Sequence, residues 1–142
     1  SEVAALRRVG NHGNITQLLS YDQHYLTLTL RHEQGQSLDK FLDSSQRCTI
    51  PPSSAILVWK QVTSAVSHLH SLNLVHDDIK PDNIVWSPED HHAVLIDFGA
   101  ALDLDVLPKD YFNPSGTPSY APPEFLLKRK GPEADVWELG IV

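Results

Sequence analysis

The sequence predicts an α+β fold from three observations: an alternating, threonine-rich run near the N-terminus, a long amphipathic pattern behind a proline pair, and two short apolar runs joined by a turn-rich segment. Glu2 to Val9 reads as a short helix, with Val3, Leu6 and Val9 at three-residue spacing and Gly10 and the polar Asn11-His12-Gly13-Asn14 closing it. Ile15 to Leu19 and Tyr25 to Leu30 follow as a strand pair across a polar turn, the second alternating as half-buried strands do. Pro51-Pro52-Ser53-Ser54 signals a helix start, and Ala55, Trp59, Val62, Val66 and Leu69 then recur along one face. Asn83 to Trp86 and Ala93 to Ile96 are apolar and should pair as a hairpin through Ser87-Pro88-Glu89-Asp90-His91-His92. Gly99 to Pro123 has little periodicity and many Pro and Asp residues, which reads as a long loop of the kind that is usually functional. Ala134 to Val142 reads as the start of a buried helix.

Composition narrows the function. The chain has 142 residues, 41% of them hydrophobic, enough for one domain with a core. Eleven Lys and Arg against 18 Asp and Glu give a net charge of -7, which argues against a surface that coats nucleic acid. A single cysteine, Cys48, excludes an internal disulfide framework and a cysteine zinc site, so a reducing intracellular compartment, cytoplasmic or nuclear, is expected. No apolar run approaches the roughly 18 residues that span a bilayer, and no basic-then-apolar leader opens the chain, so no membrane partner is expected. With no methionine and no stop signal after Trp137-Glu138-Leu139-Gly140-Ile141-Val142, the chain reads as a piece of something longer.

The chemistry concentrates in His76-Asp77-Asp78-Ile79-Lys80-Pro81-Asp82-Asn83 and in Asp97-Phe98-Gly99. A hairpin returns the chain to its starting level, so Asn83 at its entry and Asp97 at its exit should lie side by side. Two adjacent oxygen ligands that leave most of a coordination sphere open suit Mg²⁺ carrying substrate phosphates. Lys80 could neutralise a transferring phosphoryl group, and Asp78 could accept a hydroxyl proton. These residues suggest phosphoryl transfer.

The stretch from His76 to Asn83 closely resembles the catalytic loop of protein kinases, H-R-D-x-K-x-x-N, and Asp97-Phe98-Gly99 matches their D-F-G triplet. Gly116-Thr117-Pro118-Ser119-Tyr120 with Pro122-Pro123-Glu124 resembles the end of their activation segment, and Asp135-Val136-Trp137-Glu138-Leu139-Gly140 resembles the helix that follows. The resemblance implies a partial two-lobed kinase domain over residues 1–142, with 1–33 the remnant of the small lobe and hinge and 34–142 part of the large lobe. It makes Asp78 the catalytic base, Lys80 the γ-phosphate contact, and Asn83 with Asp97 the Mg²⁺ ligands, with ATP as phosphate donor. Lys80 and the Gly116-to-Tyr120 segment favour a serine or threonine acceptor on a protein, with Thr117 expected near Asp78 and Lys80. By the same resemblance Glu2 pairs with the ATP-anchoring lysine, Leu30 to Glu33 form the hinge beside adenine, and Val85 lies under its ring. Leu6, Leu18, Phe98 and His76 should stack as a packing spine.

Three departures qualify the resemblance. The family's arginine before the catalytic aspartate is Asp77 here, so the cation that clamps a phosphorylated activation loop is missing, and activity should not require phosphorylation there. The glycine-rich loop and the lysine strand would lie before Ser1, and the helix after the activation segment is cut short, so this piece by itself should not phosphorylate efficiently. The alternative is a pseudokinase that serves as an interaction module, against which the four residues Asp78, Lys80, Asn83 and Asp97 argue; a kinase acting on small molecules is disfavoured by the activation-segment motif. Among bland readings, Trp59, Trp86 and Trp137 are expected in the core, the histidines in packing or surface roles, and Lys128-Arg129-Lys130 on a solvated face.

Overall fold

A computed structural model describes residues 1–108, 111–112 and 114–142 as a mixed α/β structure. Helix α1 covers Glu2–Val9 and buries Ala5, Leu6 and Val9; the Gly10 amide caps it on the Leu6 carbonyl with φ of 67°, where a glycine is favoured. Strands β1 (Leu18–Asp22) and β2 (Thr27–Leu30) pair antiparallel with an irregularity between Leu18 and Ser20. The first strand of this pair therefore starts three residues later than its apolar pattern suggests. Ile15 is instead buried in a parallel bridge to Leu95, with Thr16 N bonded to the Leu95 carbonyl at 3.0 Å, so its apolar side chain serves a different sheet.

Helix α2 (Pro52–Ser71) begins at the expected proline pair and ends where Asn73 takes a left-handed φ of 53°. Its buried stripe is Val58, Val62, Ala65, Val66 and Leu69, so the face is rotated from the expected one. Ala55 is exposed and Trp59 is 56% exposed, the reverse of the predicted core role. Both line an apolar groove of about 520 Å³ with Leu42, Ile56, Pro81 and Leu139, and a tryptophan on an open apolar groove keeps the periodicity of a core residue.

The predicted hairpin is present as β5 (Ile84–Ser87) and β6 (His92–Leu95), and a two-residue strand β3 (Gln36–Ser37) adds to its edge. Gly35 makes that edge possible: at φ of 108°, a Cβ there would sit 2.1 Å from the Trp86 carbonyl oxygen. A further two-stranded sheet joins β4 (Leu74–Val75) to β7 (Leu102–Asp103). Strands this short carry no periodicity, which is why the segment after Gly99 reads as loop. Of that segment Lys109, Asp110 and Asn113 lie outside the described residues.

Helix α3 (Pro132–Ile141) buries Ala134, Asp135, Glu138 and Leu139 and leaves Val136 and Trp137 exposed, so the expected burial holds for one face alone, and that face is half acidic. The core gathers Leu6 and Val9 of α1, the α2 stripe, Ile84 and Trp86 of β5, Leu95 of β6, and Phe98. Each such side chain contributes roughly 1.5–3 kcal/mol by burial. This core fixes both ends of the β5–β6 hairpin, from which the polar residues project.

Candidate active site

Between β4 and β5 the chain is irregular until a short 3-10 turn over Pro81–Asn83, and the polar groups of the irregular part need partners. Helix α3 supplies them. Asp135 accepts hydrogen bonds from the amides of His76 at 2.9 Å and Asp77 at 2.8 Å, and His70 Nε2 lies 2.9 Å from the same carboxylate. Glu138, one helical turn on, accepts from the Ile79 amide at 2.6 Å. Burial, with Asp135, Asp77 and Asp78 nearby, pushes the Glu138 carboxyl up to about 8 despite that bond. Buried His76 lies edge-on to Phe98 at 4.8 Å between ring centroids and bonds the Ile96 carbonyl through Nε2 at 3.1 Å; burial lowers its pKa and keeps the ring neutral.

On this frame Asp78, Lys80, Asn83 and Thr117 converge. Asp78 Oδ1 accepts from the Thr117 hydroxyl at 2.6 Å. Its Oδ2 accepts from Asn83 Nδ2 at 3.0 Å and faces Lys80 Nζ at 2.9 Å, while Lys80 also donates to Thr117 Oγ1 at 2.7 Å. Burial alone would raise the Asp78 pKa, but the bonds from Thr117, Lys80 and Asn83 outweigh it and hold the carboxyl below its ordinary range. Burial would likewise lower Lys80, and the Asp78 contact outweighs it, leaving the ammonium raised. At neutral pH the pair is a carboxylate and a cation.

Register brings Asp97 to the same place. Ile84 lies opposite Leu95, and the Ile96 amide donates to the Asn83 carbonyl at 2.9 Å, so Asp97 emerges beside Asn83. Asp97 is exposed, takes a left-handed φ of 61°, and accepts from the Gly99 amide at 3.1 Å. The Asn83 amide nitrogen is committed to Asp78, which leaves its Oδ1 as the side chain's acceptor. Among the described residues no group of three or more His, Cys, Asp or Glu could hold a metal ion.

The remaining expected positions are more dispersed. Glu2 Oε1 accepts from the Phe98 amide at 3.3 Å, tying the start of α1 to the Asp97-Phe98-Gly99 turn. Leu6, Phe98 and His76 are fully packed, and Leu18 is partly buried against the same core. Leu30 is half-buried, Glu33 is paired with Arg31 at 3.2 Å, and Val85 is half-buried between Ser37 and Val94.

One expectation is reversed. Lys130 is not on a solvated face: its side chain is 3% exposed and forms an ion pair with Asp77, itself 2% exposed. A buried carboxylate in place of an arginine requires a cation, and Lys130 supplies it. Asp135 and Glu138 were likewise legible as a motif but not as the partners of the loop amides.

The comparisons with known proteins agree with one another. The family model described as protein kinase domain matches residues 1–142. The chain is 37% identical over 145 residues to the PAS domain-containing serine/threonine-protein kinase of Mus musculus, covering 99% of the chain and 10% of that protein. It is 37% identical over 151 residues to CBL-interacting protein kinase 22 of Oryza sativa subsp. japonica, covering 99% and 33%. It is 36% identical over 151 residues to the hormonally up-regulated neu tumor-associated kinase of Homo sapiens, covering 96% and 20%. The chain thus spans a tenth to a third of the length of these relatives.

Proposed function

This chain belongs to the protein kinase domain family, and from that membership we propose that its parent protein transfers the γ-phosphate of ATP to serine or threonine side chains of protein substrates. The observation that carries the reading is the convergence of Asp78, Lys80, Asn83 and Thr117 within hydrogen-bond distance on a loop anchored from beneath by α3. Asp78 is an ionised carboxylate fixed on both oxygens, able to orient an acceptor hydroxyl and take its proton. Lys80 remains a cation within reach of a transferring phosphoryl group. Asn83 Oδ1 and the Asp97 carboxylate are hard oxygen donors that fit Mg²⁺, and would hold it; bound there, the ion supplies charge neutralisation to the phosphates. Leu30, Glu33 and Val85 border the nucleotide side, and Glu2 holds the Phe98 amide and with it the turn that carries Asp97. The test is phosphotransfer from Mg-ATP by the full-length protein. Asp78→Asn should cut turnover about 10²-fold or more while nucleotide affinity is nearly unchanged, because the loss is confined to the transition state. Equal turnover in both proteins removes Asp78 from the role.

A further inference from the structure

The charges between the catalytic loop and the segment that covers it are inverted relative to an arginine meeting a phosphate: here the loop supplies the anion and the chain beyond supplies the cation. Lys130 Nζ bonds Asp77 Oδ2, the Ser115 carbonyl at 2.6 Å and the Ser115 hydroxyl at 3.1 Å, and that hydroxyl donates to Asp77 Oδ2 at 2.9 Å. All three ammonium donors are thereby engaged in a site from which water is nearly excluded, with the Phe125 ring 5.6 Å away. Immediately after Ser115 the chain closes on the loop: at Gly116, φ of 95°, a Cβ would lie 2.8 Å from the Asp77 carbonyl oxygen. The next residue is Thr117, whose hydroxyl bridges Asp78 and Lys80.

We propose that Lys130 is a positioning residue for phosphotransfer: by clamping Ser115 onto Asp77 it sets Gly116 and Thr117 and so fixes the Asp78 carboxylate without any phosphate on the segment. The inference rests on the function proposed above and adds to it the device that holds the site together. A lysine in the fold is always present, so the segment is anchored as soon as the chain is folded. The same buried cation neutralises Asp77, which otherwise stands beside Asp135 and Glu138 with no arginine of its own.

The test compares wild type, Lys130→Met, Thr117→Val and the double variant of the full-length protein, by steady-state kinetics and by amide hydrogen exchange over residues 115–118. Lys130→Met should lower kcat at least about tenfold with KM for Mg-ATP within about twofold, and Thr117→Val should add little to it, since both act through the same hydroxyl contact. Exchange at 115–118 should rise while the buried face of α2 stays protected. An unchanged kcat, a fully additive double variant, or a rise in exchange spread evenly over the domain overturns the inference. Wild-type protein that transfers no phosphate overturns the function proposed above, and exchange then decides the clamp alone: unchanged protection of 115–118 in Lys130→Met overturns it.

Discussion

The loop from His76 to Asn83 and the hairpin from Leu18 to Leu30 are both short irregular or weakly paired regions at the edge of one core, yet they are held in opposite ways. The loop is bound by buried polar groups: Asp135 and Glu138 take up three of its amides, and Lys130 neutralises Asp77. The hairpin is held by its ladder of backbone bonds, by Leu18 and Leu30 packed against the core and by Asp22 accepting from the amides of its own turn, while Leu19 is 57%, Tyr25 75% and Leu26 75% exposed. The difference shows where rigidity is invested. A group that must present a carboxylate in one orientation is fixed by many charge-assisted hydrogen bonds in a dry setting, where each is strong and each vacancy is costly. A strand pair that borders a site only needs its register.

Breaking that contrast should have its largest effect at Asp135. Asp135→Ala strands the buried amides of His76 and Asp77 and should destabilise the domain by about 3 kcal/mol or more in chemical denaturation, with loss of any phosphotransfer. A smaller, pH-dependent effect belongs to Glu138. Its carboxyl ionises near 4.5 when unfolded and about 8 when folded, so the folded state binds the extra proton between those values. Stability from this group is fully present below the unfolded value and is lost as pH rises through about 8. Glu138→Gln keeps an oxygen for the Ile79 amide and should flatten that decline, measured as the difference in Tm between pH 6 and pH 9, by roughly 5 °C. At the other extreme Leu26→Ser, on the exposed hairpin turn, should change stability by no more than about 0.5 kcal/mol. A large effect there would mean that the hairpin is anchored as the loop is.

The same contrast explains what could be read from the sequence. Apolar periodicity located α1, α2 and the β5–β6 hairpin, and the hairpin placed Asp97 beside Asn83. Motif order in the sequence singles out Asp78, Lys80, Asn83 and Thr117. Periodicity failed where an apolar residue faces a groove or another sheet, as with Trp59 and Ile15, because spacing reports that a face is apolar and not what covers it. It was silent on β3, β4 and β7, each two residues long. The polar anchors were the least legible. Lys130 lies 53 residues from Asp77, and no local pattern distinguishes a buried lysine from its solvated neighbours Lys128 and Arg129.

The loop from His76 to Asn83 is held by buried charges of the chain itself, Asp135 on its amides and Lys130 on Asp77, and its anchoring requires no added phosphate. The most direct measurement is kcat of the full-length protein before and after exhaustive phosphatase treatment, with Asp78→Asn as the inactive reference and mass spectrometry confirming that Ser115, Thr117 and Ser119 carry no phosphate. Unchanged turnover in the dephosphorylated protein is the predicted result. Turnover that falls toward the Asp78→Asn level and returns on rephosphorylation of this segment would contradict the account.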